Sequence, residues 1–229
     1  WPGLKESADC FHTKLVTTSP KAKMPGFTHI EFHEDKAVEI AKQILEAAID
    51  NFPNRNGTQY IPKVSEKMVA GFTSESVFRF LGGKYRSTYR PLNDAIIAGR
   101  IRGLAGVIGC SNPNVEFEEG HLTVVKELLK NDVLVASTGC NAITCGKHGL
   151  LRPEAAFEYA GKGLQEVCEA VGIPPVLHLG SCVDNSRILR VLANVVAEGG
   201  LGEDISDLPA AGAAPEWMSE KAVSIGFYF

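Results

Sequence analysis

The chain reads as an α/β fold of parallel sheets flanked by helices, and three observations carry that reading. Short apolar runs rich in Val, Ile and Leu (LAGVIG, DVLVAS and PPVLHLG) have the length and continuity of buried parallel strands. Each is followed by a stretch of helical periodicity, and repeated strand–helix units imply right-handed crossovers and a sheet covered on both faces. Cys110, Cys140 and Cys182 each sit just past one of these runs, with Gly109, Gly139 or Gly180 one or two residues before them.

Taken in order, the N-terminal part holds Cys10, a Pro-rich turn (TTSPKAKMPG), a short strand (THIEFH) and a helix (DKAVEIAKQILEAAI). Asp35 is placed to cap that helix. Val38, Ala41, Ile44, Leu45 and Ala48 share one of its faces. The stretch DNFPNRNGTQYIPK is rich in Pro and Asn with weak periodicity, so it reads as a linker over residues 50–63. SESVFRFLGG predicts a helix stopped by Gly82-Gly83, and PLNDAIIAG one opened by Pro91. GHLTVVKELLKN, PEAAFEYAGKGLQEVCEAVG and SRILRVLANVVAEGG predict the helices that follow the three strands, with a Cys/Gly-rich turn after DVLVAS. DISDLPAAGAAP reads as a loop, and EWMSEKAVSIGFYF as a helix running into a strand. An apolar strand with no capping element after it is odd, and suggests that the native polypeptide continues.

Composition removes several classes of function. The 229 residues are 45% hydrophobic and 22% charged, with a net charge of −4. Mean hydropathy is −0.00, the value of an ordinary globular chain. Mild acidity without a basic cluster gives no support for nucleic-acid binding. No apolar run approaches the ~18 residues needed to span a bilayer. The opening residues, WPGLKESADC, lack the pattern of a signal peptide. A cytoplasmic location is expected.

Six cysteines are too sparse for a disulfide scaffold, and no CxxC pair is present. Loops at the carboxyl ends of parallel strands share one crevice, where ligands bind. Three thiols delivered there can meet in space while far apart in sequence. That suits a multi-thiolate metal site better than three unrelated core cysteines, and the glycines let backbone approach a ligand. Cys10 could reach the same crevice from the other half of the chain. Cys168 has the setting of a core residue. Cys145 stays open between spare thiol and packing residue, and is not counted as a ligand. His178 reads as a core histidine, whereas His12 and His148 flank the cysteine loops as possible proton-relay groups. Lys221 would ordinarily be solvated. It gains a role only where the helix start before it points at the crevice, where a cation can stabilise an anion.

At this point GVIGCSNPNV, STGCNAITCGKHGLL, VLHLGSCVDNSRI, DISDLPAAGAAPEWMSEKAVSIG and CFHTKLVTTSPKAKMPG together resemble the anaerobic nickel–iron carbon monoxide dehydrogenases, over essentially the whole chain. The resemblance implies a catalytic subunit that interconverts CO and water with CO2, protons and electrons at a buried Ni-4Fe-4S centre, the C-cluster. It implies that Cys10, Cys110 and Cys140 hold irons, that Cys182 holds nickel, and that Lys221 hydrogen-bonds the carboxylate. It implies Rossmann-like architecture in two partial domains, with residues 1–62 in a middle domain and 63–229 forming the start and core of a C-terminal one. Its expected partners are a ferredoxin-type electron carrier, a second copy in a homodimer and, in some members, acetyl-CoA synthase.

The same resemblance calls for groups absent here: a histidine and a further cysteine of the C-cluster, the cysteines of further 4Fe-4S clusters, and the histidines of a proton path. All are expected upstream of residue 1, so the chain reads as a fragment that is inactive alone. The spacing from Cys140 to Cys182 is also shorter than the family pattern, which points to a trimmed turn between strands. Two alternatives stand beside this. One is a catalytically silent scaffold with an incomplete iron–sulfur site. The other is a hybrid-cluster (hydroxylamine reductase-like) relative, although GSCVDNSR and PEWMSEKAV are not recognised as motifs of that group.

Overall fold

Four parallel strands, lying side by side in the order Val176–Gly180, Val133–Thr138, Gly103–Val107 and Ala210–Ala213, form the sheet from which the cysteine loops emerge. The computed structural model of the chain describes residues 6, 10, 13–55, 60–82 and 87–217. By contact the chain divides into two units, Trp1–Val64 and Ser65–Phe229.

In the first unit, β1 (Val16–Thr17) and β2 (Thr28–His29) pair in parallel. Thr17 Oγ1 lies 3.0 Å from His29 Nδ1 across the pair. The predicted helix forms as α1 (Ala37–Asn51). Asp35 does not cap it. A 3-10 turn over Glu34–Lys36 takes up Asp35 and leaves Lys36 at the cap position without a side-chain bond. The apolar stripe of α1 faces outward within this unit. Val38 and Leu45 are exposed, and Ile40 is the buried residue.

The second unit opens with α2 (Ser74–Leu81) and α3 (Arg90–Ile97). Thr73 starts α2 through a capping box with Ser76, in which each side chain accepts the other's backbone N–H. Pro91 sits in the first turn of α3, where its missing N–H costs nothing. Then come β3 (Gly103–Val107), α4 (Glu119–Lys130), β4 (Val133–Thr138) and α5 (Gly139–Lys147). After α6 (Ala155–Tyr159) and α7 (Lys162–Val171), the chain continues through β5 (Val176–Gly180), α8 (Ser186–Glu198) and β6 (Ala210–Ala213).

Burial follows from the strand sequences. β3, β4 and β5 place Leu104, Val107, Leu134, Val135, Val176, Leu177 and Leu179 in one core with Val125 and Leu129 of α4 and Val191 and Val195 of α8. Helix α4 packs on β3 and β4, and α5 on β4 and β5. Gly106 lets α8 come close, because a Cβ there would lie 3.2 Å from Ile188. At about 25 cal/mol per Å² of apolar surface removed from water, this continuous core is what holds the strand ends still.

Two expectations need correction. The stretch containing Ala210–Ala213 is a strand, paired parallel to β3 from Leu104↔Ala210 to Val107↔Ala213. Ala and Gly carry little strand propensity, so its pairing comes from the neighbouring strand and not from its own pattern. The Cys/Gly-rich turn after β4 is instead helix α5, which starts at Gly139 itself. Because β4 and β6 flank β3 on opposite sides, strand order reverses at β3, and the carboxyl ends of β3 and β6 border the switch point where open α/β sheets bind ligands. The final predicted helix and strand, apart from Glu216 and Trp217, lie outside the described residues, as do Lys221 and His12.

Candidate metal centre

Cys110, Cys140 and Cys182 follow the carboxyl ends of three adjacent parallel strands, and their thiols interact. Partial desolvation, and then the Cys140 and Cys182 sulfurs beside it, raise the Cys110 thiol above its ordinary value. All three are free thiols, Cys110 and Cys182 exposed and Cys140 half-buried.

The Cys182 loop is built residue by residue. Gly180 has φ +134, and a Cβ there would run into the Asp184 carboxylate. That carboxylate accepts from the Ser181 backbone N–H at 2.8 Å and from its hydroxyl at 3.2 Å, which closes a capping box around the short turn Cys182–Asp184. The Ser181 backbone bond leads the effects that hold the Asp184 carboxyl below its usual range. Arg187 braces the turn from below, 3.0 Å from Asp184 and donating to the Leu179 carbonyl at 2.8 Å. The segment GSCVDNSR is therefore a self-contained cradle for one sulfur.

Cys140 lies in the first turn of α5. Asn141 beside it is fully buried, and its Oδ1 accepts from Ser137 at 2.5 Å and from Cys145 at 3.7 Å. Thr138, just before Gly139, donates to Asn185 at 2.5 Å and so ties the Cys140 element to the Cys182 loop. Helix α5 ends with Lys147, whose ammonium lies 2.7 Å from Glu118. Burial opposes ionisation of Glu118, but Lys147 holds its carboxyl below the ordinary value. His148 lies 3.8 Å from the same carboxylate.

The Cys110 loop is held from β6. Gly109 has φ +106, and a Cβ there would lie 2.9 Å from Trp217 Cβ. Ile108 N–H donates to the Ala213 carbonyl at 2.9 Å. Sequence reasoning missed the residue that completes this arrangement, Glu216. It is buried and accepts from the backbone of Asn112 and of His121. Its one sequence signal is an acid in an otherwise apolar, small-residue loop.

Among the remaining candidates, Cys145 and Cys168 are buried, and burial pushes both thiols up to about 12. Cys145 sits in the core with no exposed surface, its Sγ 3.7 Å from Asn141 Oδ1, a setting that favours packing over ligation. His178 joins the structural frame. Its carbonyl accepts from Gly71 and Phe72, and its Nδ1 accepts from Gly180 N–H at 3.1 Å. Cys10 is an exposed thiol of the first unit.

Among the described residues, no three His, Cys, Asp or Glu side chains are arranged to hold a single metal ion. A polynuclear cluster asks for something different, since each of its metals needs its own thiolate and the protein supplies separated sulfurs around a common space. Three thiols from three adjacent strand ends, with the Cys140 and Cys182 sulfurs near enough to raise the Cys110 thiol, fit that requirement. The arrangement defines an α/β protein with three cysteines at the carboxyl ends of three adjacent parallel strands.

Residues 1–229 match the Prismane/CO dehydrogenase family, and the chain belongs to it. It is 55% identical over 228 residues to carbon monoxide dehydrogenase 1 of Methanosarcina mazei, covering 99% of this chain and 35% of that protein. Against carbon monoxide dehydrogenase 1 of Carboxydothermus hydrogenoformans the identity is 43%, over 98% of the chain and 37% of the relative. The fold matches a Ni-free carbon monoxide dehydrogenase from Thermococcus sp. AM4, produced without the CooC maturase, with a TM-score of 0.85 at 51% identity, over 100% of this chain and 35% of that one. It also matches an acetyl-CoA synthase/carbon monoxide dehydrogenase with NiZn[Fe4S4] and NiNi[Fe4S4] clusters, with a TM-score of 0.86 at 39% identity over 100% of this chain and 35% of that one. The chain thus spans about a third of the length of these relatives.

Proposed function

We propose that this chain is the part of a carbon monoxide dehydrogenase catalytic subunit that supplies Cys110, Cys140 and Cys182 to a buried nickel–iron–sulfur C-cluster. The parent enzyme interconverts CO and water with CO2, two protons and two electrons. The observation that carries the reading is the placement of three cysteines at the carboxyl ends of three adjacent parallel strands, in a chain that belongs to this family. By the family resemblance, Cys182 is the nickel thiolate, Cys110 and Cys140 hold irons, and Cys10 adds a further iron thiolate.

When bound, such a cluster supplies soft metal sites, Lewis acidity and a store for two electrons. The chain's own residues do the rest. The Ser181–Asp184 box and Arg187 hold the Cys182 sulfur in place before any metal arrives, so little ordering is required at binding. Thr138 and Asn185 keep the Cys140 and Cys182 elements in register. Lys221 would supply a cation to stabilise negative charge on the oxygens of the reacting CO2. A ferredoxin-type carrier takes the electrons, and the subunit works as a cytoplasmic homodimer. Further 4Fe-4S clusters in the rest of the parent subunit carry electrons outward. Association with acetyl-CoA synthase fits this reading, because one structural relative is an acetyl-CoA synthase/carbon monoxide dehydrogenase.

The test is Cys182→Ser in the full-length enzyme. Loss of the soft donor should abolish CO-dependent viologen reduction and nickel binding while the melting temperature stays near that of the parent. Substantial viologen reduction by the variant would overturn the assignment.

A further inference from the structure

Glu216 is a carboxylate with 3% exposure that the chemistry above leaves unused. Its Oε2 accepts from Asn112 N–H at 3.1 Å and its Oε1 from His121 N–H at 3.3 Å. Asn112 lies two residues past Cys110, and His121 is in the first turn of α4. The Glu118 backbone also donates to this carboxylate. The His121 ring lies alongside with Nε2 3.8 Å from Oε2, too far for a hydrogen bond, and both ring nitrogens lack a hydrogen-bond partner. So the acid is held by backbone N–H groups on two separate segments.

The geometry around it is tight. Glu216 follows β6, the strand across the switch point from the Cys110 loop. Its Cγ would lie 3.1 Å from a Cβ at Gly120, and its neighbour Trp217 presses on Gly109. Five residues further along the sequence comes Lys221. One side chain therefore ties the Cys110 loop and the start of α4 to the segment that follows β6.

We propose that Glu216 is a positioning residue whose two oxygens fix the Cys110 loop and the start of α4 in one register with the segment that follows β6. This rests on the reading of Cys110 as a cluster thiolate. Oε1 accepts from the buried His121 N–H and Oε2 from the part-buried Asn112 N–H, and an N–H shielded from water and left without an acceptor is costly. A neutral amide of the same shape keeps one acceptor and turns an NH2 toward the other N–H, so one of the two fastenings fails. A residue that only filled space would not register that change.

The experiment uses the full-length holoenzyme with E216Q, E216A and, as control, Cys110→Ser. E216Q is expected to fold with parental nickel and iron contents and an unchanged KM for CO. Its kcat should fall roughly ten- to a hundredfold, the scale on which a misplacement of about 1 Å acts, and the electron paramagnetic resonance spectrum of the C-cluster should change. E216A should lose more. An E216Q enzyme with parental kcat and spectrum would overturn the inference. So would one that fails to fold or to load metal, because Glu216 would then be a support of the fold. Cys110→Ser separates the two readings. If it keeps a parental cluster spectrum, the thiolate assignment of Cys110 fails and the inference with it. If it loses the cluster while E216Q matches the parent, only the Glu216 inference fails.

Discussion

The Cys182 sulfur occupies space that exists only because residue 139 has no side chain: a Cβ on Gly139 would lie 2.6 Å from Cys182 Sγ. Gly139 also holds φ +62, a conformation that L side chains adopt at a cost. One glycine thus serves both the turn from β4 into α5 and the approach of a thiol from the next strand.

Gly139→Ala should therefore act twice. The backbone strain alone should destabilise by about 1–2 kcal/mol, visible as a lower melting temperature. The displaced Cys182 sulfur should also reduce nickel content in the loaded enzyme. A variant with parental stability and nickel would mean that neither the positive φ nor the close approach matters.

Lys221→Ala should lower turnover by roughly two to three orders of magnitude, the effect of removing one donor to a developing anion, with nickel and iron contents near normal. Steady-state CO oxidation and metal analysis on the same preparation check this. Loss of metal along with activity would make Lys221 a support of the site, and full activity would leave it a solvated lysine.

Acid should weaken the braces behind the Cys110 loop. The Glu118 and Glu216 carboxyls lie below their ordinary values in the fold, despite the opposing effect of burial. Their contribution to stability is complete above the unfolded value of about 4.3 and is lost as pH falls from there through the folded values. Lys147→Met removes the cation that holds Glu118 ionised. Lys147 is half-exposed, so the loss near neutral pH should be about 1 kcal/mol or less. The gap between parent and variant should close as pH drops below the carboxylate range. Melting temperatures from pH 7 downward measure it, and a constant gap would contradict the assignment.

The strands β3, β4 and β5 were legible because buried parallel strands must be continuously apolar, and LAGVIG, DVLVAS and PPVLHLG are. The three cysteines were legible as a group because strand ends in a parallel sheet share an edge. Strand β6 was not, since AAGA has no strand pattern of its own and pairs only because β3 offers it an edge. Helix α5 was hidden by two glycines, two cysteines and two β-branched residues in GCNAITCGK, all weak helix formers, and it is held by packing on β4 and β5. No individual roles are legible for Asp184, Asn185 and Arg187 within GSCVDNSR, because their partners, the Ser181 backbone, Thr138 and the Leu179 carbonyl, are defined only once the turn is closed. Glu216 was missed for the same reason: its donors lie about a hundred residues earlier in the chain, at Asn112 and His121.

The most direct test of the central claim is anomalous scattering at the nickel and iron edges from crystals of the loaded full-length enzyme. The account predicts one polynuclear centre at the carboxyl edge of the sheet, with the Cys110, Cys140 and Cys182 sulfurs each about 2.3 Å from a different metal atom and nickel on Cys182. Metal peaks elsewhere, or any one of these three sulfurs without a metal neighbour, would contradict it.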